Sequence, residues 1–372
     1  MRASPAFRYA LFCAAIFAVI AAQLAFWPLW LASRGLDATE IGALSAATLA
    51  VRVAATPLLG MLTYRTEQRR LILGLTLLLL AGFALFVPAY GFVALLPIAV
   101  VTGTCLSALP PLMDGAVMQG GLDYGRVRLW GTLSFLLMTL AIGRALLGAP
   151  PDRLLLFVLG SGLVLLLSAL MLPRAARAGA PPRPGGWRIL LGRRHALFFL
   201  AVTLIQASHA AHNQFSALYW RSLGYSTETI GWLWADTCIA ELILFYWGRA
   251  LVARLTPLQL ILLGGVAGLV RWTVLGTATA LPLLFAVQSL HCLSFAAAHL
   301  GALNYLSRHF PPPHGGAAQI AYSAVLALGF GAASLLSGAL YQIEGGLVFL
   351  AMALMSGSGA LATLRLTRRY GG

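Results

Sequence analysis

The amino-acid sequence contains about twelve apolar stretches, each about 17 to 25 residues long, and an α-helix of that length crosses a lipid bilayer. Only 9% of the 372 residues are charged and 60% are hydrophobic, which is more apolar than a soluble protein of this size needs for its core. The sequence therefore predicts an all-α polytopic membrane protein with twelve transmembrane helices, embedded in the lipid bilayer.

The connections between the apolar stretches alternate between Arg-rich and Arg-poor. If the N-terminus is cytoplasmic, the inner connections and both termini carry nineteen Arg, whereas the outer connections carry four. The positive-inside rule then places both termini in the cytoplasm and the protein in the cell (inner) membrane. This distribution also explains the net charge of +15 without a nucleic-acid partner, because the basic residues face an anionic leaflet rather than forming one patch.

The predicted spans form two sets of six, which the sequence separates with one long polar connection. We place the spans at about 8–33, 41–63, 71–90, 92–118, 128–149, 153–172, 196–220, 228–252, 257–278, 280–306, 316–341 and 345–366. The connection is rich in Arg, Pro and Gly, as expected of a cytoplasmic linker. The predicted domains are therefore an N-terminal six-helix bundle (1–172), a linker (173–195) and a C-terminal six-helix bundle (196–372).

A short signature recurs at one constant offset before the second span of each half. Its shared residues are Gly35, Ile41, Gly42 and Leu44 in the first half and Gly224, Ile230, Gly231 and Leu233 in the second. Asp37 or Thr39, and Ser226 or Thr227, are suitable helix caps at these points. Duplicated six-helix units are typical of secondary transporters. No Walker A motif is present, which argues against a built-in ATP motor.

Several motifs resemble the major facilitator superfamily over essentially the full length of the chain. The connection after the second span matches that superfamily's loop motif at Gly60, Arg65, Arg69 and Arg70 and departs from it at Tyr64 and Glu67. More specific matches are Pro111 to Asp114, Asp123 to Gly131, Tyr219-Trp220 and Gly224 to Ser226, which are similar to the phenylpropionate permease group.

The resemblance implies proton-coupled uptake of a small organic solute, with an aromatic carboxylate as one candidate, because that group is related to nucleoside and lactose proton symporters. It also implies gating roles near the loop motif and the fifth span, for Arg65, Asp114, Asp123, Arg126 and Arg128.

Apart from the charged residues assigned to the connections and span ends, five lie within predicted spans: Arg52, Asp114, Asp236, Glu241 and Arg271. Each costs about 2.5–3.5 kcal/mol at a helix centre on insertion scales, so a pairing partner or a wet cavity is expected around it. Glu241 is the preferred proton carrier, with Asp236 as the alternative. A buried structural ion pair with Arg271 is the other interpretation. The order Glu241, Arg271, His291 on successive helices resembles the coupling set of lactose proton symporters.

Polar and aromatic residues on the first, seventh and tenth spans are candidates for substrate binding. The seventh span carries Gln206, His209, Asn213 and Ser216 on one face, with His212 on its flank. Trp27 can stack on a planar substrate, and an Arg can match a carboxylate. The candidate substrate-binding residues are Gln23, Trp27, Arg52, His209, His212, Asn213, Arg271 and His291.

The leading hypothesis from the sequence is a proton symporter that imports a small organic solute by alternating access. Proton-antiport efflux of hydrophobic compounds, or a sensor that binds without transport, are the alternatives. We expect a monomer whose partners are substrate, protons and lipid. No catalytic residue, cofactor or metal site is expected, since neither HExxH nor Cys/His ligand spacing occurs in the sequence.

Overall fold

The computed structural model describes residues 4–173, 192–248, 252, 254–310 and 315–370, with 57, 60, 63, 64, 245 and 315–317 described by backbone only. The helices of the first half are α1 (Pro5–Leu24), α2 (Trp27–Ser33), α3 (Ala38–Arg65), α4 (Gln68–Phe86), α5 (Gly91–Gln119), α6 (Tyr124–Ala145) and α7 (Arg153–Met171). Those of the second half are α8 (Arg193–Ala207), α9 (Ala210–Ser222), α10 (Thr227–Tyr246), α11 (Pro257–Thr277), α12 (Leu281–Ser289), a π-helical segment (Cys292–Ala297), α13 (Ala298–His309), α14 (Gly315–Ile343) and α15 (Leu347–Tyr370).

Every predicted span is occupied by one helix or by consecutive helical segments. Within the described residues, nine helices are long and apolar enough to cross a membrane. The fifth, seventh and eighth predicted spans are not among those nine. α6 and α10 carry several charged residues, and the seventh span is divided into helices of 15 and 13 residues. The all-α membrane fold is confirmed, and the count of twelve spans stays a prediction.

The chain forms two compact units, the first made of Met1–Pro181 with Gly224–Trp232 and the second of Pro182–Leu223 with Leu233–Gly372. The first turns of α10 thus pack with the first unit. Most of the predicted linker, 174–191, lies outside the described residues. The predicted domain boundaries therefore stay a prediction.

The recurring signature has the same local structure in both halves. Gly35 and Gly224 both adopt the left-handed conformation, with φ of +88° and +89°, which glycine reaches without steric cost. Asp37 caps α3, because its carboxylate accepts a 2.8 Å hydrogen bond from the backbone N–H of Glu40. Ser226 caps α10 in the same way through the N–H of Thr229, at 3.1 Å. The repeat is therefore a turn followed by a capped helix.

Side chains at helix ends and in connections hold both ends of the first unit. At one end Arg34, which is 4% exposed, pairs with Asp152 at 2.7 Å, and Trp30 donates its indole N–H to the same carboxylate at 3.0 Å. At the opposite end Arg8 and Arg69 donate to the last carbonyl groups of α7. Cations at a helix C-terminus satisfy its free carbonyls and its dipole.

Glycines let α11 approach its neighbours closely in the second unit. A Cβ atom at Gly264 would lie 2.5 Å from that of Ala298, and one at Gly265 would lie 2.9 Å from that of Ala360. Small residues at such positions are typical of helix contacts in membranes. The close packing leaves Arg271, two turns further along α11, fully buried.

Within the first unit, α6 meets the start of α10 backbone to backbone at Gly143 and Gly231. A Cβ atom at Gly143 would lie 2.8 Å from the carbonyl oxygen of Thr227 and 3.2 Å from the Cα of Gly231. Next to this contact, Arg144 pairs with Glu228 at 3.1 Å in an exposed position, where an ion pair contributes little. The glycine contact therefore has the larger part in joining these helices.

We expect Gly143→Ala to lower the melting temperature of the purified protein, because overpacking a close helix contact costs about 1–3 kcal/mol. Gly74→Ala is the matched control, since a Cβ atom there meets no atom within 4 Å. The control should be neutral or slightly stabilising, because Ala is favoured over Gly in a helix by about 0.5–1 kcal/mol. A Gly143→Ala protein that melts no lower than the Gly74→Ala protein would contradict the contact. Thermal unfolding in detergent measures both.

Candidate functional site

Several predicted site residues lie at interruptions of helices. α8 ends at Ala207 and α9 begins at Ala210, so His209 occupies the break. His291 lies just before the π-helical segment of the tenth span, and Gln23, half-buried, lies one residue before the end of α1. Broken helices and π-segments are frequent at transport and binding sites, because they free backbone groups and reorient side chains.

Arg271 of α11 is the centre of a polar network in the second unit. Its Nε and Nη2 atoms both donate to the Gln288 side-chain oxygen, at 3.3 and 2.8 Å. Its Nη1 atom donates to His291 Nδ1 at 2.9 Å and to the Ser294 hydroxyl at 3.4 Å. The Cζ atom of Arg271 lies over the indole ring of Trp272, 4.4 Å from the ring centroid. Four of the five N–H groups of Arg271 thus have acceptors inside the protein.

The network fixes the proton positions on His291. A guanidinium can only donate, so His291 Nδ1 must accept and the ring proton must be on Nε2. Nε2 lies 3.3 Å from a carboxylate oxygen of Glu241, to which it donates. The structure therefore joins Arg271, His291 and Glu241 in one chain of hydrogen bonds. Glu241 is half-buried, with its side chain 25% exposed.

The same reasoning fixes His209 and His212, which are both 1% exposed. His209 Nδ1 lies 3.0 Å from the Gln206 carbonyl oxygen and must donate, so its Nε2 accepts from Ser294 at 3.2 Å. His212 Nε2 accepts from the side-chain amide of Gln288 at 2.9 Å, because the oxygen of that amide already accepts from Arg271. His291 and His212 are therefore neutral, with tautomers that follow from Arg271 directly and through Gln288, whereas the Gln206 carbonyl sets the proton on Nδ1 of His209.

The two acidic residues of α10 have different partners. Glu241 contacts His291, whereas Asp236 accepts a hydrogen bond from Ser289 at 3.1 Å. Neither carboxylate forms a direct ion pair with Arg271. The five-residue spacing turns the two side chains about 140° apart on the helix, so they meet different residues of the tenth span. Asn213, the remaining predicted residue of the seventh span, is half-buried next to His212.

Arg52 lies at the middle of α3, in the first unit, and is half-buried. Its guanidinium has no hydrogen bond or ion pair to any residue that the structure describes. An unpaired charge at mid-span is costly in lipid, so such a side chain faces water or a ligand. Arg52 is therefore free to bind an anion, whereas Arg271 is almost saturated.

Trp27 lies in an aromatic cluster of the first unit. It stacks on Trp30 with 4.5 Å between ring centroids and meets the edge of Phe86 at 4.9 Å. Only 8% of Trp27 is exposed, and Trp30 is fully buried. The contacts place Trp27 in the protein core, so stacking on a substrate would use the face opposite Trp30.

The predicted gating residues lie in two groups. Asp123 caps α6 through the backbone N–H of Arg126 at 3.1 Å and also pairs with its exposed side chain at 3.2 Å. Arg128 packs over Phe17 of α1 at 3.9 Å. Arg65 is the exposed last residue of α3. Among the predicted gating residues that the structure describes, it thus pairs Asp123 with Arg126.

Sequence reasoning left out the residues that bridge this site. Gln288 and Ser294 lie three residues before and after His291, and this helical spacing marks a shared polar face that could have identified both. Ser289, which binds Asp236, has no such signal, because serine is common in membrane helices. Trp272 could be identified only as a neighbour of Arg271.

Comparison with known proteins places this chain in a group of transporters. The family model described as MFS_1 like family matches residues 7–351. A probable 3-phenylpropionic acid transporter of Escherichia coli (strain K12) is 35% identical over 350 residues, covering 90% of each chain. The maltose permease of Geobacillus stearothermophilus is 28% identical over 354 residues, covering 90% of this chain and 87% of its own. The resemblance inferred from the sequence motifs is confirmed.

Solved structures show the same fold. The nucleoside transporter NupG superposes with a TM-score of 0.85 at 16% identity, covering 99% of this chain and 100% of its own. A D-xylose-proton symporter superposes with a TM-score of 0.70 at 15% identity, covering 97% and 96%. At these identities the likeness establishes the fold alone.

The tautomers can be measured by nitrogen NMR of ¹⁵N-histidine-labelled protein in bilayers, with single His→Gln variants to assign signals. We expect His291 to carry its proton on Nε2, and His209 and His212 to carry theirs on Nδ1. Ser294→Ala should change the signals of His209 and leave the tautomer of His291 unchanged, because only His209 accepts from that hydroxyl. A doubly protonated His291 at neutral pH would contradict the network.

Proposed function

The chain belongs to the MFS_1 like family of the major facilitator superfamily, and from this premise we propose that it is a proton symporter for the uptake of a small aromatic carboxylate. It is a multi-pass membrane transporter by family and fold. The hydrogen-bonded chain from Arg271 through His291 to Glu241 is the observation that carries the proposal for proton coupling. The printed name of the 35% identical relative supports the substrate class.

Glu241 is the proton carrier in this proposal. His291 is a poor one, because a second proton on Nδ1 would displace the hydrogen bond from Arg271. Protonated Glu241 can still accept from His291 through its carbonyl oxygen, so the network survives the change. Asp236 interacts with Ser289 instead and is outside this chain of bonds. We assign it a supporting role.

Arg52 binds the substrate carboxylate in this proposal. It is the mid-span cation that lacks a partner among the described residues, and a guanidinium matches a carboxylate with two parallel hydrogen bonds. A monocarboxylate and one proton together carry no net charge. The pH gradient and the solute gradient would then drive uptake without a contribution from the membrane potential.

His209, His212, Asn213, Gln23 and Trp27 remain proposed substrate contacts. Arg271 supports the site through Gln288, Ser294 and His291 and binds substrate only if it exchanges one of these partners. The gating roles of Arg65, Asp114, Asp123, Arg126 and Arg128 are proposed from the family resemblance. We also propose a monomer in the cell (inner) membrane. The Arg asymmetry of the connections supports the placement of both termini in the cytoplasm.

Proton coupling is tested in liposomes that contain a pH dye and receive an inward gradient of 3-phenylpropionate. We expect the wild-type protein to acidify the lumen. Glu241→Gln should abolish acidification but retain exchange of labelled for unlabelled substrate, because it mimics the protonated carrier. Asp236→Asn, on the same helix, should retain acidification.

Acidification by the Glu241→Gln protein would refute the assignment of the carrier. Substrate binding without counterflow in the wild type would favour a sensor. Movement of protons against the direction of solute would favour antiport efflux.

Arg52→Gln should weaken binding of 3-phenylpropionate about 10- to 100-fold, since a hydrogen bond to a charged group contributes about 1.5–3 kcal/mol. Binding of the neutral 3-phenylpropionamide should be the same for both proteins. Arg368→Gln, at an exposed position near the end of α15, serves as the control for a loss of charge. Equal loss of affinity for the acid and the amide would show that Arg52 does not recognise the carboxylate. Equilibrium binding of both ligands to the three purified proteins measures all six values.

A further inference from the structure

Three neighbouring rings in the second unit each carry a buried N–H group that has no acceptor among the described residues. His212 must carry its proton on Nδ1, since its Nε2 accepts from Gln288, and Nδ1 has no hydrogen-bond partner. The indole N–H groups of Trp220 and Trp234 also have none. These side chains are 1%, 0% and 4% exposed. Their rings are neighbours, with 5.8 Å from His212 to Trp220 and 4.5 Å from His212 to Trp234.

The donors share one face of α9. His212, Ser216 and Trp220 are spaced four residues apart, and side chains with that spacing line up along a helix. The hydroxyl of Ser216 is likewise buried without a partner. Trp234 approaches the same face from α10. The amide of Asn213 lies near the His212 ring but makes no hydrogen bond of acceptable geometry to Nδ1.

The missing partner is an acceptor. An indole N–H and the N–H of a neutral imidazole can only donate, so these groups cannot satisfy one another. Buried polar groups in proteins are almost always hydrogen-bonded. The indole N–H of Trp272, in the same unit, donates to Ser208 at 2.9 Å. The fold thus supplies an acceptor for one tryptophan and leaves the cluster of His212, Trp220 and Trp234 without one.

We propose that His212, Trp220 and Trp234, with the hydroxyl of Ser216, form a subsite for an uncharged oxygen acceptor of the transported solute, such as an ether or carbonyl oxygen on an aromatic ring. The proposal rests on the proposed function, in which Arg52 binds the carboxylate, so this oxygen belongs to a second group. The donors are uncharged, which suits an uncharged acceptor. They are enclosed in the conformation described, so the acceptor enters in another state of the transport cycle.

The test compares pairs of ligands that differ in one acceptor. The three methoxyphenyl isomers of 3-phenylpropionate carry an ether oxygen and no added donor, and the corresponding ethylphenyl isomers have nearly the same shape without the oxygen. Binding is measured for wild type, Trp220→Phe and Trp234→Phe, which each lose one N–H and keep an aromatic ring. Trp232→Phe is the matched control, because Trp232 lies on α10 and is 49% exposed.

For at least one ring position, we expect wild type to bind the methoxy ligand about tenfold more tightly than its ethyl partner, a difference of about 1.4 kcal/mol. Trp220→Phe and Trp234→Phe should each reduce that ratio towards one. Trp232→Phe should keep the wild-type ratio.

Two failures are distinguishable. If no ligand of either series binds to wild type, the proposed function is wrong and the subsite proposal falls with it. If both series bind with equal affinity, or if the ratio is the same in wild type and both cluster variants, the subsite proposal alone is wrong. The donors would then hold an ordered water molecule. Melting temperatures of the ligand-free variants confirm that each protein is folded.

Discussion

The fully buried charge of Arg271 is the constraint on which the rest of this site depends. A guanidinium without acceptors is costly within a membrane, and no carboxylate of the described residues pairs with it directly. Gln288, His291 and Ser294, all on the tenth span, supply its acceptors instead. Their positions depend on the interruption of that span by a π-helical segment and on the glycines that bring α11 close to it.

Because Arg271 only donates, it imposes a direction on every hydrogen bond that follows. His291 and His212 are neutral with defined tautomers, and the carboxylate of Glu241 faces the Nε2–H of His291. In the proposed function, Glu241 therefore carries the coupled proton. The two membrane arginines differ in their surroundings: Arg271 is occupied by the acceptors of the tenth span, whereas Arg52 has no partner among the described residues and is the proposed site for a substrate carboxylate. Because Nε2 of His212 accepts from Gln288, the proton of His212 is on Nδ1, which has no acceptor among the described residues.

The sequence was sufficient for the fold class and the approximate positions of the helices, because long apolar stretches and recurring signatures are visible in it. It singled out Glu241, Arg271 and His291 as charged or polar groups in spans, but not which of them touch. Helix interruptions at His209 and at His291 were not visible, since Ser, His and Leu at those points fit a continuous helix equally well. Trp27 shows what residue type and position alone cannot predict. As an aromatic residue within the first span it suits substrate stacking, but the structure packs it against Trp30 and Phe86. The spacing of Gln288, His291 and Ser294 marks one polar face of the tenth span, but only the three-dimensional packing shows that this face meets Arg271.

Infrared difference spectroscopy of the protein in bilayers can locate the coupled proton, because the carbonyl stretch of a protonated carboxylic acid is distinct from the bands of an imidazolium ring. Lowering the pH in the presence of 3-phenylpropionate should produce a carboxylic acid band that is lost in Glu241→Gln and kept in Asp236→Asn. A band of protonated imidazole that is lost with His291, with no carboxylic acid band, would contradict the account, since the proton would then reside on the histidine that Arg271 is argued to keep neutral.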